Sequence, residues 1–280
     1  MAAGSNRRTS AALLAAVILG LLVGVPAITG HTVAGRAVPA VQLPPRPQPG
    51  QCLAPLQTPT QLNTVVDVVP IVPCSAPHSA ELLTVRTLDP VDWPKRPDIM
   101  DGRFTNGALS EACNQLAGQY LGWGTHNPLH RISVSFFTRL TVSSELQWSA
   151  GQRWYACELM PGILDFPLSW TGSARNANNG TPPGAFATCA DGANELRVNC
   201  DRPHHAEQLT QSFGGKPMDA HDCTVLAGRV IGTADPTFGG QLAVVARPLG
   251  GGTACWVTMT SSRALTGTLI NHGAAPLHLG

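Results

Sequence analysis

The sequence predicts an α+β protein with two tandem small disulfide-bonded modules, each a small β-sheet with one packed helix, after a single N-terminal transmembrane helix. Three observations lead to this prediction. A ten-residue motif occurs twice, as CSAPHSAELL at 74–83 and as CDRPHHAEQL at 200–209, with six positions shared. Eight cysteines form two sets of four around the two copies. An uncharged apolar run also lies near the N-terminus.

The apolar run predicts a membrane anchor. Arg7 and Arg8 precede Ala11–Ile28, eighteen residues without a charge, which is long for the core of a signal peptide and adequate for a membrane span. Positive charge on the cytoplasmic side places the rest of the chain outside the cell. A retained anchor in a single-pass cell-membrane protein is therefore expected. Small residues after the run leave cleavage and secretion as the alternative.

The rest of the chain divides by composition. The segment after the anchor is rich in proline, which favours an extended stalk over a packed core. A second irregular segment, rich in glycine, proline and asparagine, separates the two sets of cysteines. The predicted organisation is a cytoplasmic stub and anchor at 1–30, a stalk at 31–49, module 1 at 50–173, a linker at 174–187, module 2 at 188–270 and a tail at 271–280.

The cysteines predict a disulfide framework, because an even number outside the cytoplasm is typical of oxidised pairs. Each half contains a first cysteine, the motif cysteine, a helix cysteine and a last cysteine, which leaves three possible pairings per module. The cysteines are Cys52, Cys74, Cys113 and Cys157 in the first half, and Cys189, Cys200, Cys223 and Cys255 in the second.

Local sequence patterns assign the third and fourth cysteine of each half to a helix and a strand. ALSEACNQLAGQYLG (108–122) and DAHDCTVLAGRV (219–230) carry apolar residues at helical spacing, with the third cysteine on the apolar face and Asp219 as a possible N-cap. The fourth cysteine lies in a strand-like stretch in each half. Further strands are predicted at 65–72, 81–85, 131–137 and 241–247.

The repeated motif allows a chemical interpretation. A zinc site would need Cys74, His78 and Glu81 to converge with a fourth ligand, but the chain has no C-x-x-C spacing. A reactive thiol is disfavoured in an oxidising compartment, and G-x-S-x-G, S-x-x-K and H-E-x-x-H are absent from the sequence. We therefore expect no enzyme, no cofactor and no metal.

The alternative interpretation is structural. After the motif cysteine, a proline makes a corner, the histidine pairs with a backbone group, and the glutamate holds either the histidine or a nearby N–H. Metal or proton binding by the two histidine–glutamate pairs is the weaker alternative. The residues concerned are Pro77, His78 and Glu81 in the first copy and Pro203, His204 and Glu207 in the second.

These residues carry a resemblance. Gly50-Gln51-Cys52, the VPIVPCSAPHSAELL segment, a helix with Cys113 and a W-x-A-G-x-R-x-x-x-C run ending at Cys157 resemble the septum-formation family of actinobacterial membrane-anchored proteins. The second half resembles a degenerate copy, with the first cysteine loop shortened from 22 to 11 residues and no tryptophan or arginine before Cys255. The resemblance implies a link to cell division.

The function expected from these features is an extracytoplasmic binding or scaffold protein, with an unknown envelope protein or cell-wall component as partner. The alternatives are an accessory subunit of a transport or secretion complex and, third, an envelope hydrolase or metal-binding protein. Nucleic acid is not expected, since the net charge is +1 and 12% of residues are charged. An exposed apolar patch would favour binding, whereas a deep polar cleft with His78 or His204 at its base would favour an enzyme.

The cysteine pairing follows from the predicted elements. The first two cysteines of each half flank one hairpin-like segment, while the helix cysteine faces the sheet that carries the last cysteine. The predicted pairs are Cys52–Cys74, Cys113–Cys157, Cys189–Cys200 and Cys223–Cys255.

Overall fold

Two antiparallel sheets form the framework of the part of the chain that the computed structural model describes, namely residues 42–98, 102–122, 131–162, 166–191, 196–212, 217–249 and 252–280. The predicted anchor at 1–30 and most of the stalk at 31–49 lie outside these residues. Among the described residues, no helix has the length and apolar character needed to cross a membrane.

The first sheet has five strands in the order β2-β1-β3-β6-β5. Its inner strand β6 is buried along its whole length, because β3 and β5 pair with its two edges and side chains cover both faces. The strands are β1 Cys52–Leu53, β2 Ile71–Val72, β3 Ala80–Thr87, β5 Phe136–Val142 and β6 Trp154–Pro161.

The second sheet has six strands, with β10-β11-β9-β7-β8 in line and β4 also paired with β9. Strand β4 comes from the first half of the chain, and β5 follows it directly into the first sheet, so this stretch joins the two sheets. The strands are β4 Arg131–Ile132, β7 Thr188–Asp191, β8 Leu196–Val198, β9 Ala206–Gln211, β10 Leu242–Leu249 and β11 Gly252–Met259.

The described residues include four α-helices beside the sheets: α1 Gly102–Thr105, α2 Ala108–Tyr120, α3 Glu145–Ser149 and α4 Ala220–Ile231. The predicted apolar stripes lead to the expected burial, since Cys113 in α2 and Cys223 in α4 point inward. Helix α4 begins after Asp219, whose Oδ1 accepts from the Asp222 N–H at 2.8 Å, as predicted for an N-cap. Short 3₁₀ turns occur at Pro59–Asn63, Val66–Val68 and Ala177–Asn179.

The predicted α+β class is wrong, because the described chain is mostly β. Helices α1 and α3 have only four and five residues, while four of the strands have eight. The prediction was too short at 81–85, which lies within β3, and too long at 65–72. There the apolar run forms a 3₁₀ turn and the two-residue β2, since Pro70 has no N–H for a ladder.

The predicted cysteine pairing is confirmed. The structure contains the four disulfides Cys52–Cys74, Cys113–Cys157, Cys189–Cys200 and Cys223–Cys255, with Cα–Cα distances of 5.2 to 5.6 Å. The second and fourth of these bonds attach α2 to β6 and α4 to β11. The first and third bonds close loops of different length, with sequence separations of 22 and 11.

Candidate functional site

The first copy of the motif forms a buried corner around His78. Its backbone N–H and C=O pair with Trp170, both at 2.9 Å. The ring Nδ1 lies 2.9 Å from the Ala76 carbonyl, which can only accept, so Nδ1 is the donor. The ring is fully buried and packs on the Trp170 indole, with centroids 4.3 Å apart. Its Nε2 has no hydrogen-bond partner in the described structure.

Glu81 completes this corner from the start of β3. Its carboxylate accepts from the Ala174 N–H at 2.6 Å, from the Ser173 hydroxyl at 3.0 Å and from the Tyr120 hydroxyl. The glutamate therefore holds a backbone N–H and two hydroxyls, and not the histidine.

The second copy repeats this arrangement. His204 exchanges backbone hydrogen bonds with Leu265 at 3.0 and 2.7 Å, and its Nδ1 donates to the Arg202 carbonyl at 2.8 Å. Glu207 accepts from the Leu269 N–H at 2.7 Å and from the Thr268 hydroxyl. The contacts of both copies fit the structural interpretation of the motif.

A second short motif meets each corner. Thr171-Gly172-Ser173 and Thr266-Gly267-Thr268 provide the hydroxyls that the two glutamates accept from. Gly172 and Gly267 have φ near +84° and +82°, a conformation that favours glycine, and their N–H groups donate to Cys74 and Cys200. Through these hydrogen bonds, each ten-residue motif holds a Thr-Gly-Ser/Thr turn beside its disulfide.

Burial perturbs the titration of the second corner. It raises the pKa of Glu207 to about 7, although the hydrogen bonds from Thr268 and Leu269 favour the ionised form. Burial also lowers the pKa of His204, partly opposed by the hydrogen bond to the Arg202 carbonyl. Close to neutral pH, the second corner therefore contains a neutral imidazole and a carboxyl group that is poised to titrate.

The weaker, metal-binding alternative can be compared with the geometry. In the described part of the chain, Cys189, Cys200 and His204 form the set whose potential ligand atoms all lie within 4.8 Å of one another. The two sulfurs are bonded to each other, so neither is a thiolate able to bind a metal. The proposed first-copy ligands Cys74, His78 and Glu81 do not form such a set.

A polar cleft of about 600 Å³ lies where the two sheets meet. Helix α2, the chain from β4 to β5, and strands β7, β8 and β9 contribute to its walls. The side chains that carry its hydrogen-bonding groups are chiefly Ser133, Thr138 and Thr188 with hydroxyls and Asn114, Gln208 and Gln211 with amides.

A β-bulge places the two glutamines side by side. Gln208 and Gln211 are three residues apart and would face opposite sides of a regular strand. In β9, however, Gln208 pairs with Trp256 and Thr210 pairs with Cys255, so Leu209 is an extra residue in the strand. Both amides consequently face the cleft, and Gln208 Nε2 donates to Gln211 Oε1 at 3.1 Å.

The sequence predictions did not include this site. His78 and His204 are fully buried and are not among the residues that line the cleft, so the cleft is not the one expected of an enzyme built on the motif. The one cue in the sequence is Gln208 itself, which occupies a variable position of the motif where the first copy has Leu82.

The fold and the site define a disulfide-bonded, mostly β protein with a polar cleft of the size that small ligands occupy. The family model described as "Septum formation" matches residues 49–216, more than half of the chain. The chain belongs to the septum-formation family, which confirms the resemblance and links it to septum formation or cell division. Comparison with curated proteins and with solved structures finds no match.

Proposed function

We propose that this protein is a membrane-tethered, extracytoplasmic binding protein that serves septum formation, and that its partner occupies the cleft between the two sheets. The protein acts by binding and not by catalysis. The observation that carries the proposal is the lining of the cleft, which consists chiefly of neutral hydrogen-bonding side chains.

The location outside the cytoplasm is supported by the disulfides. All eight cysteines are paired, and such frameworks form and persist in oxidising compartments. The tether is supported by the apolar run at 11–28 behind Arg7 and Arg8.

Binding is supported by the chemistry of the cleft walls. General acid–base or nucleophilic catalysis uses a carboxylate, an imidazole, an amine or an activated nucleophile next to a base. The groups around this cleft are hydroxyls, carboxamides, phenylalanines and the Arg197 guanidinium. The two buried histidines instead donate to the carbonyls of Ala76 and Arg202.

Photo-crosslinking in dividing cells tests the proposal. A photo-crosslinking amino acid replaces Ser110, which lines the cleft in α2, and in the matched control it replaces Gln57, which is exposed outside the cleft. We expect envelope protein or wall material to be captured at Ser110 and not at Gln57. Equal capture at both positions, or none at either, would refute a role for the cleft.

Mass spectrometry of the mature N-terminus tests the tether separately. We expect residues 1–30 to be retained in protein extracted from membranes. A mature N-terminus near Gly35 or Val41 would show that the segment is cleaved and that the protein is secreted and not tethered.

A further inference from the structure

We propose that the ligand of the cleft is a glycan, a neutral polyhydroxylated chain with at most an isolated anionic group. This inference rests on the proposed function, because it specifies what the binding protein recognises. It depends on the hydrogen-bonding pattern, the charge and the aromatic content of the cleft.

The polar side chains of the cleft are already oriented by one another. Ser133 donates to the Thr188 hydroxyl at 3.0 Å, Gln208 donates to Gln211, and Thr138 donates to the Asn114 Oδ1. A carboxamide has two donors and an acceptor with two lone pairs, and a hydroxyl both donates and accepts. Each pair therefore keeps capacity of both kinds after its internal bond is made.

A ligand that complements such walls must itself offer donors and acceptors at short intervals. Vicinal hydroxyl groups do so, because each one is a donor and an acceptor. Buried carboxamides left unpaired would be costly, at about 1–3 kcal/mol for each unsatisfied group. Gln208 lines the cleft with only 3% of its surface exposed, so it is well placed to select for a hydroxyl-bearing ligand.

The charge of the cleft limits the ligand further. Arg197 is the charged side chain among the lining residues in the described structure, and its Nη1 donates to the Ser135 hydroxyl at 3.3 Å. Recognition of phosphates or of a polyanion uses clusters of arginine and lysine. A single exposed guanidinium suits a mostly neutral chain that carries an isolated carboxylate.

Two aromatic residues add an apolar surface. Phe136 and Phe137 at the start of β5 are half-buried residues of the cleft lining, on opposite faces of the strand. The C–H-bearing face of a sugar ring can pack against an aromatic ring. A peptide ligand fits less well, since peptide recognition uses apolar pockets for alternate side chains.

Titration of the full-length protein in detergent, with its disulfides intact, tests this inference. The probes are N-acetylglucosamine tetramers and soluble glycan strands from digested cell wall, followed by saturation-transfer NMR and calorimetry. The double variant Gln208→Leu/Gln211→Val, which gives β9 the residues of the first sheet at these positions, should weaken binding at least tenfold. Gln57→Leu is the matched control and should leave affinity unchanged.

Charge and salt distinguish a glycan from an anion. Arg197→Gln should change the affinity for the neutral tetramer less than threefold, and binding should not fall between low and high salt. Circular dichroism shows that each variant is folded, and mass spectrometry without reductant shows that its four disulfides are intact. No binding of either glycan probe overturns the glycan inference. Continued capture of a protein at Ser110 in cells would then leave the proposed binding function standing with a different ligand.

Discussion

The two sheets use the same motif and the same bulge to build different surfaces. In β3, Leu83 is the extra residue and puts Leu82 and Val85 on one face, as Leu209 does for Gln208 and Gln211 in β9. In the first sheet this face is covered, because the loop between Cys52 and Cys74 packs apolar side chains on it. The loop side chains that contribute are Leu56, Val66 and Val69.

The second sheet has a loop of half the length between the corresponding cysteines, with a separation of 11 instead of 22. Its face carries a smaller apolar cluster of Ala190, Ala206, Ala254 and Trp256, and the glutamines stand beside the cleft. The longer first cysteine loop therefore adds apolar side chains to its sheet face, whereas the shorter one leaves the corresponding residues beside the cleft. Both residues are buried, but Leu82 has apolar neighbours, whereas Gln208 is hydrogen-bonded to Gln211 and lines the cleft.

The largest expected effect comes from releasing the covering loop. Cys52→Ser/Cys74→Ser should lower the free energy of unfolding by about 4–5 kcal/mol, about 3 from the closed loop and the rest from loosened packing on Leu82. Cys189→Ser/Cys200→Ser should cost about 3 kcal/mol, since its shorter loop covers no comparable core. Urea unfolding of both variants measures the difference. A larger cost for the second pair would contradict the comparison.

Exchanging one residue between the faces tests the cover directly. Leu82→Gln should cost about 3–4 kcal/mol, because an apolar side chain is lost and an amide is buried among apolar neighbours. Gln208→Leu should cost less, about 1–2 kcal/mol, because it removes the hydrogen bond to Gln211 Oε1 but leaves an apolar side chain at a buried position. Equal costs in urea unfolding would show that the two faces are equally covered.

Some features of these two sheets could be predicted from the sequence, and others could not. The cysteine pairing and the helices that bear Cys113 and Cys223 follow from local patterns, namely order along the chain and helical spacing, and both were predicted. A bulge has no local sequence pattern, so nothing indicated that Gln208 and Gln211 share a face. The apolar run at 65–72 reads as a strand, yet its buried Val66 and Val69 cover a sheet instead of joining one.

Glu81 and Glu207 accept hydrogen bonds from different partners in the two corners. The effect of burying Glu207 can be measured as a pH dependence of the free energy of unfolding. Burial raises the pKa of Glu207 from about 4.5 to about 7 in the folded protein, so between these pH values the folded state holds a proton that the unfolded state has lost. The contribution of this proton to the free energy of unfolding is about 3 kcal/mol. It is fully present below about pH 4.5 and is lost as pH rises to about 7.

The variant Glu207→Gln removes this titration and keeps most of the hydrogen bonding to Thr268 and Leu269. The lowered pKa of His204 acts with the opposite sign, because stability is lost as pH falls below about 6.5. Since His204 remains in the variant, the difference between the two stability curves isolates Glu207. Parallel curves from pH 4.5 to 7 would show that Glu207 titrates normally.

The smallest expected effect concerns metal. The purified protein with four intact disulfides should contain no stoichiometric zinc or copper, because the sulfurs nearest His204 are bonded to each other.

If reduction opens Cys189–Cys200, its two thiolates and His204 have the composition of a zinc ligand set, and uptake should be confined to the second corner. Elemental analysis of reduced wild-type protein, His204→Gln and the matched control His78→Gln separates the corners. Loss of bound metal in His204→Gln alone would support the difference between them. Stoichiometric metal in the oxidised protein, or equal loss in both variants, would make the histidine–glutamate motif a ligand set and contradict its structural interpretation.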